Sequence, residues 1–461
     1  MEKEKSTDLG NGKIKRLLFS LALPAIIAQL VNVLYNIVDR IFIGRMASGE
    51  LAMAGVGVAF PIIMIVSAFS ALIGMGGAPL AAIKMGKKDN DGAEKIMTNS
   101  FTSLIGVGIL LTIVFLIFKE PILIAFGASS NTLGYAMDYL AIYLIGTVFV
   151  QIALGMNPFI NTQGFAKIGM ATVMIGAIIN IILDPILIFG FDMGVKGAAL
   201  ATVCGQLVSA IWVLKFLFGK ETILKIRKSF LVPEVKVMLS VLALGISPFI
   251  MQATESLLII VMNNQLSRFG GDMAVGAMTI MASIMQIVIL PLMGLTQGAQ
   301  PIMSYNYGAE KLSRVRETFK LLLKISLSYT VVMWILLMAF PGFFVSIFNK
   351  NPELYAQTSW SIKIYFAGIG VFGAQIACQQ TFLALGQAKK SLLLALLRKV
   401  ILLIPLAIIL PNFFNNKVFG VLVSEPVADV LATIITVITF IFFYKKVLSV
   451  DKNLNEKEIS I

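Results

Sequence analysis

Histidine is absent from all 461 residues, which removes HExxH zinc sites, His-based triads and His metal cages together. Cysteine occurs twice, at Cys204 and Cys378, each inside an apolar stretch, so neither a disulfide framework nor a CxxC pair is available. Charge is scarce too: 13% of residues are Asp, Glu, Lys or Arg, against roughly 25% in a soluble globular chain. With 58% hydrophobic residues and a mean hydropathy of +0.91, a water-soluble fold would need an apolar surface. Most of the chain is therefore expected to face lipid. No nucleophile–base motif or metal cluster stands at a credible spacing, so the chain is not expected to be an enzyme.

What is present is a series of apolar runs. Twelve are long enough for a hydrocarbon core that needs about 20 helical residues: 17–43, 51–83, 96–118, 135–160, 168–190, 195–218, 238–266, 273–304, 318–347, 357–385, 392–414 and 418–444. The expected fold class is an all-α integral membrane protein. The net charge of +13 is not a nucleic-acid footprint, because its distribution follows the loops. Of 37 Lys and Arg, 29 fall on one side, in the tails, in every second loop and in the span ends beside those loops. Cytoplasmic loops carry such an excess, so both termini are expected in the cytoplasm.

The second level of order is an internal repeat. Pro79 and Gly86 recur as Pro301 and Gly308, and Gly164 and Lys167 as Gly386 and Lys389, all shifted by 222. A shift of 223 maps Gln29 onto Gln252 and Gly197 onto Gly420. Each half then holds six spans, an even number, so the halves enter from the same face as parallel repeats about an axis along the membrane normal. The expected parts are a tail (1–16), an N-lobe (17–218), a cytoplasmic linker (219–237), a C-lobe (238–444) and a second tail (445–461). A cleft between two such lobes suits alternating access; a duplicated bundle that carries nothing is the other reading.

Five carboxylates lie inside spans: Asp39, Asp184, Glu255, Glu425 and Asp429. Asp138 stands at the wet end of span 4. A charge at bilayer depth costs a few kcal/mol even on the lenient insertion scale, roughly 2.5–3.5. Asp39 and Asp184 sit at similar depths, and Asn180 lies one turn from Asp184 on the same face. Thr202, in span 6, reaches the same level. Two carboxylates, an amide and a hydroxyl can coordinate a hard cation, and equally can share a proton. Asp39 also reads as an interfacial pair with Arg40, and Asp184–Pro185 as a local kink. Glu255 is either a substrate contact or a charge buried for packing. Glu425 and Asp429 share one face of span 12, and Asp429 is expected to form a structural ion pair with Arg398 or Lys399 of span 11.

The runs LALPAIIAQLVNVLYNIVDRIFIG in span 1, INIILDP in span 5 and GLTQGAQPIMSYNYGA after span 8 closely resemble the multidrug and toxic compound extrusion (MATE) family. The resemblance covers nearly the whole chain outside the tails, and is nearest to the MepA-like branch beside the DinF subfamily. It implies a V-shaped, two-lobed bundle exporting organic cations in exchange for Na⁺ or H⁺ across a bacterial plasma membrane. It places Asp39, Asn180, Asp184 and Thr202 at the family's N-lobe cation site, and matches Pro24 to the proline where the first helix bends. Some relatives add a C-lobe site from a Glu in span 7 and an Asp in span 10. Glu255 fits the first, but span 10 offers only Gln375, Gln379 and Gln380.

Asp39, Glu255, Gln252 and Gln375 are the substrate-binding candidates, and 23 methionines suit either an adaptable cleft or plain membrane core. The expected partners are small organic cations and membrane lipid, with no cofactor beyond the coupling ion, no nucleic acid and no obligate protein partner. The alternative within transport is a flippase for lipid-linked saccharides.

Overall fold

The computed structural model describes residues 8–47, 49–348 and 352–449, with only the backbone of Ser256. Lys3, Lys5, Lys452 and Lys457 lie outside them. Among the described residues regular structure is entirely helical, as a lipid-facing chain requires, because only a helix satisfies its backbone within one segment. Spans α1 (Ile14–Gly44), α2 (Gly49–Gly86) and α3 (Asn90–Ala125) come first. Then α4 runs as Leu133–Ile145 and Thr147–Thr162, followed by α5 (Ala166–Gly190) and α6 (Val195–Leu217). A continuous stretch, Val235–Gly308, holds α7 (235–270) and α8 (272–308). It is followed by α9 (Leu312–Ala339), α10 (Pro352–Tyr365 with Ile369–Ala384), α11 (Ala388–Phe413) and α12 (Lys417–Leu448). A short helix, Pro341–Phe348, lies between α9 and α10.

Several expected spans need correction. Span 4 is bent by 59° and span 10 by 50°, so each is two helices rather than one. Span 9 stops at Ala339 and restarts at Pro341, where proline suits a helix start. The loop expected at 267–272 shrinks to one residue, Gly271, whose φ of 62° is open to glycine without strain.

The segment between α6 and α7 is held down by buried side chains rather than left loose. Gln163 Oε1 accepts from the backbone N–H of Ile223 and Leu224 at 2.7 and 2.8 Å. Asn99 of α3 accepts from Glu234 N at 2.8 Å and donates to the Phe230 carbonyl at 2.7 Å.

Both lobes pack around two apolar clusters each, and they exchange helix ends. Ile14, Leu17, Leu18 and Leu21 of α1 are buried with Ile302, Phe319, Leu322 and Phe382 of the C-lobe. In return, Val241 of α7 is buried with Ile73, Ala81 and Phe159 of the N-lobe. At the end that carries the termini the lobes touch backbone to backbone. A Cβ on Gly86 would collide with the Tyr305 carbonyl, and one on Gly308 with the Ile83 carbonyl. Further along, Gly245 meets Leu72, Gly298 meets Ala22 and Gly294 meets Ile26. Phe69 and Phe249 then meet edge to face, with centroids 5.2 Å apart. These approaches lie in the half of each helix nearest the termini, and the lobes part toward the opposite face as a V.

Candidate functional site

Asp39 projects from α1 five residues before that helix ends, well away from the terminal face, and its carboxyl meets that of Asp184 on α5. Asn180, one turn from Asp184, donates Nδ2 to Asp184 Oδ1 and to Thr202 Oγ1 of α6, each at 3.3 Å. The Tyr139 phenol of α4 lies beside Thr202. Tyr139 stacks on Tyr143 at 6.2 Å and 14°. The four residues expected from depth alone thus lie in one pocket. The local chemistry follows from the sequence: i,i+4 spacing puts Asn180 and Asp184 on one face. Pro185 withholds an N–H, and the helix continues as a π turn, Ile186–Gly190.

The pocket is buried and under-satisfied. Asp184 is 0% exposed, Asn180 2% and Asp39 9%. Asp39 Oδ1, Asn180 Oδ1 and Asp184 Oδ2 have no hydrogen-bond partner. Buried oxygens of this kind cost free energy unless something fills them. Arg40 does not: its guanidinium lies over the Phe60 ring, 5.4 Å from the centroid. Two carboxylates, an amide oxygen and a hydroxyl form a donor set that fits a hard monovalent cation or a proton. Among the described residues no group of three or more His, Cys, Asp or Glu is placed to hold a metal ion, so the amide and hydroxyl are needed to complete the set.

The C-lobe holds a second polar centre. Arg398 donates Nε to Asp429 Oδ1 at 2.6 Å and Nη2 to Glu425 Oε1 at 2.8 Å, and its guanidinium faces the Phe372 ring at 4.6 Å. Its neighbour Lys399 donates Nζ to the Met251 carbonyl at 2.9 Å and pairs with Glu255. Both cations lie in a π-helical stretch, Leu397–Leu403, whose wider turn brings consecutive side chains closer in direction. Gln252 Oε1 and the buried Gln375 Oε1 have no partner, while Gln379 Nε2 reaches the Met251 sulfur at 3.4 Å. Asp39 contacts its own lobe, so the four substrate candidates do not form one cluster. Pro24 is buried inside an unbroken α1.

Two features escaped the sequence reading. Tyr139 was hidden because a membrane tyrosine reads as packing, although its neighbour Asp138 marks a wet helix end. The Lys399–Glu255 pair joins residues 144 apart, a separation without a local signal.

A model of the MatE family matches two blocks, residues 24–186 and 248–409, one in each lobe. The chain is 27% identical over 434 residues to the multidrug export protein MepA of Staphylococcus haemolyticus, covering 94% of each chain. It is 25% identical over 417 residues to the protein of that name in Staphylococcus aureus strain N315, covering 90% and 91%. Among solved structures it resembles the outward-facing conformation of a multidrug resistance MATE family transporter of the MOP superfamily. The TM-score there is 0.89 at 22% identity, over 97% of this chain and 100% of that one. It also resembles a MOP superfamily transporter from Pyrococcus furiosus, described as having a binding pocket of reverse polarity. That match has a TM-score of 0.86 at 22% identity and covers 95% and 99%.

Proposed function

The chain belongs to the MatE family, and we propose that it is a secondary active multidrug efflux protein that exports amphipathic organic cations in exchange for Na⁺ or H⁺. It sits in a bacterial plasma membrane with both termini in the cytoplasm, binds no cofactor beyond the coupling ion, and catalyses no covalent chemistry. Its partners are small organic cations and lipid.

The observation that carries this reading is the N-lobe pocket with its three unpartnered oxygens. Two buried carboxylates side by side are expensive to seal from water while both are charged. An ion arriving from outside lowers that cost, so loading is coupled to closure on the outer side and the pocket gives up its hold on a cationic drug. Where two such ions enter for one monovalent drug that leaves, one net charge moves down the inside-negative potential, which supplies roughly 2.3 kcal/mol per 100 mV, or roughly fiftyfold accumulation; a one-for-one exchange draws on the ion gradient alone. A flippase for lipid-linked saccharides would need unpaired cations deep in the N-lobe for the pyrophosphate, where this pocket presents carboxylates.

Ethidium efflux from proteoliposomes, driven first by a Na⁺ gradient alone and then by a pH gradient alone, tests the proposal. One of the two gradients is expected to drive efflux. Efflux driven by neither overturns the antiport.

A further inference from the structure

The C-lobe centre contains three carboxylates, Glu255, Glu425 and Asp429, and two cations, Arg398 and Lys399. The phenol that lies in their field, Tyr365, is neutral. With every carboxylate ionised the set is one positive charge short. Asp429 and Glu425 are 1% and 2% exposed, and Arg398 satisfies one oxygen of each. The second oxygen of Glu425 is buried without a partner. The members differ in access: the Lys399 side chain is 10% exposed, whereas that of Glu255 is 56% exposed. A charged side chain at that depth faces water rather than lipid, so Glu255 opens onto the cleft between the lobes.

We propose that Lys399 is a tethered stand-in for the transported cation. It occupies Glu255 while the cleft is empty, yields that carboxylate to an organic cation, and turns its ammonium to the unpaired oxygen of Glu425. Lys399 and Glu425 already lie in each other's field. With all three carboxylates ionised, the exchange sets three carboxylates against two cations before binding and three after it; a proton held on the unpaired oxygen of Glu425 while the cleft is empty leaves to the cleft water as the ammonium arrives. It also accounts for a lysine in a lobe wall that admits cations, since the ammonium screens Glu255 only until something of the same sign arrives. The proposal rests on the reading of the chain as an exporter of organic cations.

The test is ethidium binding to the purified full-length protein, followed by fluorescence. Lys399→Met is expected to tighten binding at least fivefold by removing the competitor. In the Glu255→Gln background the same change is expected to have no effect. Glu425→Gln, which removes the landing site but leaves Lys399 in place, is expected to weaken binding several-fold, and provides an arm that does not need Lys399→Met to fold. Binding that is unchanged or weaker in Lys399→Met, or unchanged in Glu425→Gln, overturns the proposal while wild-type ethidium efflux leaves the export reading standing. A wild-type protein that neither binds nor exports ethidium removes both.

Discussion

Asp89 shows how much one side chain can do where the chain leaves the membrane. Its Oδ1 accepts from Gly92 N at 2.9 Å and caps α3, while its Oδ2 holds Lys84 Nζ at 2.6 Å. The Lys84 ammonium first, then the Gly92 N–H, hold this carboxyl below its ordinary value of 3.8. The ion pair is half-exposed and adds little. The cap sets the magnitude, and Asp89→Ala is expected to cost about 1 kcal/mol. Because the folded-state value is depressed, that contribution is full above the ordinary carboxylate range and fades as pH falls through it. Thermal melts should therefore separate wild type from Asp89→Ala at pH 7 and bring them together only as pH falls below the ordinary carboxylate range. At this same scale the N-lobe pocket was legible. Asp39, Asn180, Asp184 and Thr202 could be grouped by depth and helical spacing because buried oxygens in lipid are rare enough to count. Lys399 was not legible as the partner of Glu255, because the nearer reading pairs it with Asp429 and no local signal ties it to a residue 144 positions away.

At the scale of helices, the bends fall on the repeat. The breaks in α4 and α10 come at Gly146 and Gly368, 222 residues apart. A Cβ at either would strike a repeat-related neighbour, Val203 in one lobe and Pro426 in the other. Hydropathy could find the twelve spans but not these bends, since a bent apolar run is as apolar as a straight one. The contact of α2 with α8 depends on similar spacing. Gly86→Val would push α2 off the Tyr305 carbonyl, an overpacking of about 1–3 kcal/mol in the closed arrangement of the terminal face. Ethidium efflux is expected to fall at least tenfold, with spin labels on the two lobes moving apart at that face. Gly106→Ala is the contrast: nothing lies within 4 Å of the added Cβ, and efflux is expected to stay at the wild-type rate.

On the scale of the whole molecule, the lobes are tied together by the chain's own start. Arg314, at the C-lobe end, donates Nη2 to the Gly12 carbonyl at 2.6 Å and to the Leu9 carbonyl at 3.3 Å. Asn306 gives Nδ2 to Leu9 at 2.8 Å, and Lys311 reaches Gly10 at 2.9 Å. The bonds from Arg314 and Lys311 are charge-assisted and contribute about 1.5–3 kcal/mol each. Arg314→Ala is expected to loosen closure at the terminal face, broadening the interlobe distance distribution there without altering the pocket around Asp39. None of this strap could be read from sequence, because its acceptors are backbone carbonyls. The duplication, by contrast, was written in spacing: Lys88 and Glu310, again 222 apart, share a left-handed φ of 61° and 57°.

The central claim is that the paired aspartates of the N-lobe couple an incoming ion to an outgoing cation. Asp39→Asn keeps the shape and removes the charge, so gradient-driven ethidium efflux from proteoliposomes tests the claim most directly. Efflux should fall to the level of empty liposomes while the protein remains folded and inserted. Efflux at the wild-type rate would contradict the coupling role of the pocket.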